Sequence, residues 1–427
     1  MNCVCVEPRI LTGTVSMPPS KSAAHRAIIC AALSKGVSRI EPIELSNDIT
    51  ATIGCMKQLG AKITLDGKTL TVDGRGVFEK DEREEEIILD CFESGSTLRF
   101  LIPVAAALGK PACFVGHGKL PERPINVLTD CLPQHGTECR TEGGLPLTIR
   151  GMLHGGDFFV AGNISSQFIT GLLLALPLLK EDSRIILTSA AQSVGYIQMT
   201  LNTMRSFGVK VEETEDAWLI KGGQSYQPQE FTVEGDWSQA AFFMTAAALG
   251  GRITIDNLDP HSSQGDKACM ELYKQFGAKI SVDSQNRITI EHDQLRAIEI
   301  HAENIPDMVP ALAVTAALCE GTTVISGAQR LRIKECDRLQ AITEGLSRLG
   351  AEITETPDGL IIKGVRTLHG GSVSGFNDHR IVMSLSVASV GSSGDIIISD
   401  KESINKSYPT FFEDLQSLGG VAHVIMG

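Results

Sequence analysis

Aromatic side chains other than Phe are scarce in this sequence: two Trp and four Tyr stand beside 15 Phe in 427 residues. A chain so poor in Trp and Tyr offers few platforms for stacking bases. Positive charge is also in deficit. The 38 Lys and Arg against 51 Asp and Glu give a net charge of −13 and a pI near 5.3, the wrong sign for gripping nucleic acid or an anionic membrane through the overall field. None of the eleven Cys falls in a CxxC pair, so they read as reduced thiols of a cytosolic protein. The longest apolar run, residues 168–179, is broken by Thr170, Gly171 and Pro177, and spanning a bilayer takes about 20 residues. The first nine residues have neither a basic leader nor an apolar signal core. A cytoplasmic protein of bacterial type is expected, with no nucleic-acid or membrane partner.

What is present is repetition. A large apolar residue, a Gly and a short alternating strand recur at Leu59-Gly60-Ala61, Phe207-Gly208-Val209, Phe276-Gly277-Ala278 and Leu349-Gly350-Ala351, with weaker copies at His135-Gly136 and Leu418-Gly419. Successive glycines lie about 70 to 75 residues apart, so six units fill the chain. Each Gly ends an amphipathic helix, where a left-handed cap is wanted, and a hairpin follows. A second type of helix, rich in Ala and Leu, opens each unit, as at 23–33, 98–108, 240–249 and 311–318. The unit reads helix, strand, helix, strand, strand, and several must pack together to bury a core. Linker composition at 17–20 and 222–230 divides the chain into residues 1–18 plus 232–427 and residues 19–231, with 1–18 pairing back onto the later half. The charge run at 79–86 is expected to be solvated surface.

Unusual polar residues collect at the expected helix starts, where free N–H groups and the helix dipole favour anions. Ser and Asp there are explained by capping. The cations are not, since a helix N-terminus disfavours them. Lys21, Arg26, Arg99, Arg123, Lys334, Arg338, Arg380 and Lys406 are all expected in first turns. Such repeated inversion in an acidic chain points to a site for phosphates and carboxylates.

Taken in order, Pro19-Ser-Lys-Ser22, Ser94-Gly-Ser-Thr-Leu-Arg99, Leu120-Pro-Glu-Arg-Pro124, Ser165-Ser-Gln167, Arg332-Ile-Lys-Glu-Cys-Asp-Arg338, Asn377-Asp-His-Arg380 and Lys406-Ser-Tyr-Pro409 resemble the 5-enolpyruvylshikimate-3-phosphate synthase family of enolpyruvyl transferases, from about residue 8 to about residue 415. The resemblance implies an α/β fold of two similar domains, each of three helix–strand units packed around buried parallel helices in an inside-out α/β barrel, with the active site in the interdomain cleft. It implies transfer of the enolpyruvyl group of phosphoenolpyruvate to the 5-hydroxyl of shikimate 3-phosphate, with release of phosphate, in the shikimate pathway to chorismate and aromatic amino acids. A monomer with no metal or organic cofactor is implied as well.

Carried over by motif, phosphoenolpyruvate falls to Lys21, Gly95, Arg123, Gln167, Arg338, Arg380 and Lys406. Shikimate 3-phosphate falls to Lys21, Ser22, Arg26, Ser165, Ser166, Gln167, Ser193, Tyr196, Asp307 and Lys334. Addition and elimination through a tetrahedral ketal need one proton delivered to the methylene carbon and one removed from the hydroxyl. The resemblance gives the hydroxyl proton to Asp307 and the methylene proton to Glu335, with Lys21 stabilising developing charge. Two stretches depart from the common pattern: Glu93-Ser-Gly-Ser96, where Asn is usual at the first position, and Val194-Gly-Tyr-Ile-Gln198. Gly95 is kept, so glyphosate is expected to fit the phosphoenolpyruvate position. A sister enolpyruvyl transferase acting on UDP-N-acetylglucosamine is one alternative, although the loop Gly116-His-Gly-Lys-Leu-Pro121 lacks the Cys of that family. A non-catalytic scaffold for anionic partners is another.

Overall fold

The structure, a computed structural model, describes residues 2–79 and 85–426, so Lys80–Glu84 of the charge run lie outside the described residues. The chain separates into two compact units, Pro19–Val233 and Met1–Pro18 with Glu234–Gly427. Each unit has its own hydrophobic core.

Six sheets of four strands are found among the described residues, three in each unit, all with one pattern. In the first, Glu230–Thr232 runs parallel to Val37–Glu41, which pairs antiparallel with Thr69–Asp73, and that strand with Lys62–Asp66. The repeat read from the sequence has three strands and misses the parallel edge strand. Edge strands such as Ile87–Asp90, Glu299–His301 and Gly371–Val373 are three or four residues long, too short to show alternation. The N-terminal residues complete two sheets of the later unit. Asn2–Val6 pairs with Ile396–Ile398 and Ala422–Met426, and Thr12–Ser16 runs parallel to Arg252–Asp256.

Helices of two kinds alternate along the chain. In the Pro19–Val233 unit they are α1 (Lys21–Ala32), α2 (Asn47–Gln58), α3 (Gly95–Ala107), α4 (Asn126–Cys131), α5 (Ser166–Ala175) and α6 (Val194–Ser206). In the other unit they are α7 (Trp237–Gly250), α8 (Cys269–Phe276), α9 (Val309–Ala316), α10 (Arg338–Arg348), α11 (His379–Val387) and α12 (Phe411–Ser417). α1, α3 and α5, like α7, α9 and α11, are buried around nearly their whole circumference, as expected of helices apolar on every face. α2 and α10 bury one face only, in α10 through Leu339, Ala341, Ile342 and Leu346.

The six repeat glycines, Gly60, Gly136, Gly208, Gly277, Gly350 and Gly419, all have φ between 81° and 114°, the region only Gly enters without strain. The polar stretch 222–230 is no free tether, because Tyr226 is buried and donates to the Leu174 carbonyl at 2.9 Å. Within the first unit α3 and α5 approach closely. A Cβ on Gly171 would lie 2.2 Å from the Arg99 carbonyl oxygen and 3.0 Å from Pro103, so only glycine permits this contact, which sets Arg99 against Gln167.

Candidate active site

Only three of the eight cations stand in the first turn of an α-helix: Lys21 and Arg338 as first residues, Arg380 as second. Arg26 and Arg99 are a turn further in. Arg123 and Lys334 sit in the loops before α4 and α10, and Lys406 ends a short 3₁₀ helix well before α12. Glu335 also precedes α10 and is not a first-turn residue. The inverted electrostatics is thus narrower than the sequence suggests, and each first-turn cation has a carboxylate beside it.

In the Pro19–Val233 unit, Ser20 caps α1 by accepting from the Ala23 amide, and Lys21 Nζ reaches Asp48 Oδ2 at 2.6 Å. Both side chains are largely shielded from solvent. Arg26 is buried; its Nε donates to Thr200 Oγ1 at 2.7 Å, Nη1 to the Ser22 carbonyl at 2.6 Å, and Nη2 to the Tyr196 carbonyl at 3.0 Å. A longer contact of 3.5 Å runs from Nη2 to Thr170 Oγ1. These bonds leave one Nη1 N–H for a ligand. Burial lowers the Arg26 pKa to about 10, which keeps it charged at neutral pH. Ser165 caps α5, Ser166 and Gln167 follow it, and Ser193 and Tyr196 stand at the start of α6. Arg99 Nη1 donates to Gln167 Oε1 at 2.7 Å, Gln167 Nε2 to Ser96 Oγ at 2.9 Å, and Arg99 Nη2 to the Pro124 carbonyl at 2.9 Å. Gly95 faces the buried guanidinium of Arg123, and a Cβ there would fall 2.8 Å from Nη1 and 2.9 Å from Nη2.

The other unit gathers its charges around Arg338, which is 2% exposed along its side chain. Its Nε meets Asp378 Oδ2 at 2.7 Å, Nη1 meets Asp307 Oδ1 at 2.9 Å, and Nη2 meets Glu335 Oε2 at 2.7 Å. Burial alone would lower the Arg338 pKa, but the charges of Asp378, Glu335 and Asp307 reverse this and raise it well above the ordinary value. Asp307 also lies 3.5 Å from Lys334 Nζ and 3.5 Å from Arg380 Nη2. Lys406 Nζ donates to the Asn377 carbonyl at 2.5 Å. Asp337 and Asp378 cap α10 and α11, which offsets the cost of the cations that follow them. Burial and the nearby Asp378 carboxylate push the Cys336 thiol up, so this Cys is a weak donor, 3.6 Å from Asp378 Oδ2.

Three further acids and bases belong to these clusters. Asp48 and Asp378 pair with motif cations 27 and 40 residues away. His25 lies buried between Lys21 and Arg26, and burial together with those charges holds it well below the usual imidazole range. The sequence signal for Asp48 and Asp378 was an acid in or just before a helix first turn, which reads equally well as a cap. For His25 there was no signal beyond its place beside Arg26 in the expected first helix.

Residues 6–415 match the family model for EPSP synthase (3-phosphoshikimate 1-carboxyvinyltransferase). A relative from Clostridium perfringens named 3-phosphoshikimate 1-carboxyvinyltransferase is 48% identical over 423 residues, covering 99% of each chain. One of the same name from Clostridium novyi is 45% identical, over 99% of this chain and 98% of its own. A solved structure of EPSP synthase from Acinetobacter baumannii superposes with a TM-score of 0.84 at 26% identity, covering 100% of both chains. No helix among the described residues is long and apolar enough to cross a membrane. Matched over nearly its whole length by model, relatives and structure alike, the chain belongs to the EPSP synthase family.

Proposed function

We infer that the chain transfers the carboxyvinyl group of phosphoenolpyruvate to the 5-hydroxyl of shikimate 3-phosphate and releases inorganic phosphate. The hydroxyl adds to the central carbon of phosphoenolpyruvate while the methylene carbon gains a proton. The tetrahedral ketal then loses that methyl proton and the phosphate. Asp307 accepts the hydroxyl proton, Glu335 exchanges the proton at the methylene carbon, and Lys21 stabilises the charge that develops between these steps.

The observation that carries this assignment is the position of Asp307 and Glu335 on one guanidinium, that of Arg338, at 2.9 and 2.7 Å. Two carboxylates held on a shared cation are fixed relative to each other, as a pair that handles two protons of one reaction requires. Arg338, Arg380 and Lys406, with Lys21, Arg123, Gln167 and the amide of Gly95, take the carboxylate and phosphate of phosphoenolpyruvate. Ser22, Ser165, Ser166, Gln167, Ser193 and Tyr196, with Arg26, Lys334 and Asp307, take shikimate 3-phosphate. Support comes from the helix starts: Ser165 and Ser166 open α5, where free N–H groups suit a phosphate.

Each compact unit is taken as one domain, its three sheets wrapped around buried helices as an inside-out barrel, and the enzyme works as a cytoplasmic monomer. Phosphate release from phosphoenolpyruvate tests the function, with shikimate 3-phosphate and UDP-N-acetylglucosamine offered as separate acceptors. Release with the shikimate ester alone is expected. Release only with the nucleotide sugar would overturn the acceptor, and release with neither would overturn the reaction.

A further inference from the structure

We propose that His25, Thr52, Thr97 and Ser94 form a buried positioning network that fixes the N-terminal halves of α1, α2 and α3 against one another, and with them Lys21 and Gly95, for the carboxyvinyl transfer. The proposal rests on the function inferred above. His25 Nδ1 lies 2.7 Å from Thr52 Oγ1, Thr52 Oγ1 lies 2.7 Å from Thr97 Oγ1, and Thr97 Oγ1 lies 2.7 Å from Ser94 Oγ. All four residues are 0% exposed. The first two bonds join side chains 27 and 45 residues apart, so the network links helices and does not decorate one.

The bonds run in one direction. Nε2 of His25 is buried without a hydrogen-bond partner among the described residues, and Lys21 and Arg26 are the charges that act on the ring. A proton on Nε2 would have no acceptor, whereas a bare lone pair is favoured by those cations. The ring proton therefore belongs on Nδ1. Nδ1–H donates to Thr52, the Thr52 hydroxyl to Thr97, and the Thr97 hydroxyl to Ser94. Ser94 Oγ also accepts the Thr97 amide at 3.1 Å as the cap of α3. The Thr52 and Thr97 hydroxyls each both accept and donate, so neither can turn away without leaving a buried partner unsatisfied.

Every anchor of the network lies beside a group assigned to the reaction. α1 opens at Lys21 and α3 at Gly95, which faces Arg123. α2 carries Asp48, whose side chain holds Lys21 at 2.6 Å and whose carbonyl lies 3.5 Å from Thr97 Oγ1. A slip of one helix start shifts Lys21 or Gly95 from its place, and misplacements of about 1 Å can cost on the order of a hundredfold in rate.

The test uses the full chain and steady-state phosphate release. Thr52→Val and Thr97→Val keep the volume and remove the hydroxyl, and His25→Leu removes the donor. His25→Asn retains an N–H near the place of Nδ1, and Thr97→Ser retains the hydroxyl. Assays run well below the lowest melting temperature of the set, so that every variant is folded. Expected is a fall of about tenfold in kcat for Thr52→Val, Thr97→Val and His25→Leu, with KM for shikimate 3-phosphate little changed. The double Thr52→Val/Thr97→Val variant should be no slower than the slower single, since one chain of bonds is broken once. Thr97→Ser and His25→Asn should recover most of the rate. Unchanged kcat in folded variants, multiplying losses in the double, or failure of both conservative variants to recover would each overturn the network. An inactive wild type would instead remove the function, and the proposal with it.

Discussion

The guanidinium of Arg338 and the carboxylate of Asp378, 2% and 0% exposed along their side chains, form an ion pair of 2.7 Å at the start of two adjacent helices. Arg338 opens α10 and Asp378 caps α11 by accepting from the Arg380 amide at 2.8 Å. One carboxylate therefore holds the Arg338 guanidinium and anchors the backbone of Arg380, two residues assigned to phosphoenolpyruvate.

Removing one member of a buried pair leaves the other charge uncompensated, at a cost of about 3–5 kcal/mol. Asp378→Ala is expected to lower the unfolding free energy of its unit by about that amount in urea titrations at pH 7. A loss below about 1 kcal/mol, the range of exposed pairs, would show that Glu335 and Asp307 alone suffice to hold Arg338.

Gly95→Ala adds a methyl group to a position 2.8–3.0 Å from three atoms of the Arg123 guanidinium. The guanidinium must move, so KM for phosphoenolpyruvate is expected to rise about tenfold while KM for shikimate 3-phosphate stays within about twofold. Glyphosate, expected to compete with phosphoenolpyruvate in the wild type, should weaken in parallel. Competition with shikimate 3-phosphate instead would contradict the assignment of Gly95 and Arg123.

His25 makes stability depend on pH. The unfolded chain protonates this ring near its ordinary pKa of about 6.5, while burial and the charges of Lys21 and Arg26 keep the folded ring neutral to well below that value. Between the two values the unfolded state binds more protons, so stability rises with pH there and is lost as pH falls below about 6.5. His25→Asn should remove this part of the acid destabilisation of the Pro19–Val233 unit. An unaltered slope in denaturation between pH 6.5 and 5 would contradict a neutral His25.

The repeat was legible because its signal is local. Gly60, Gly136, Gly208, Gly277, Gly350 and Gly419 each end a helix with positive φ, a demand the sequence states directly. The edge strand Glu230–Thr232 was not legible, since it takes its partner from a remote segment. The motif cations were visible as residue types, but not their partners: Asp48 resembles an ordinary helix residue until the fold brings it to Lys21, and Asp378, though inside the motif Asn377-Asp-His-Arg380, reads only as a cap until the fold brings it to Arg338. Arg123, Lys334 and Lys406 were expected in helix first turns and lie in the preceding segments, because Pro124, Pro409 and the cap at Asp337 delay each helix start.

Asp307 and Glu335, held on one guanidinium, are the two groups to which the proton transfers are assigned. Inorganic phosphate released from phosphoenolpyruvate and shikimate 3-phosphate, measured in wild type, Asp307→Ala and Glu335→Gln at equal folded concentration, tests that assignment most directly. Loss of either acid or base typically costs about 10²–10⁴ in rate, so kcat is expected to fall at least a hundredfold in both variants. Turnover within tenfold of wild type in either variant would contradict its role.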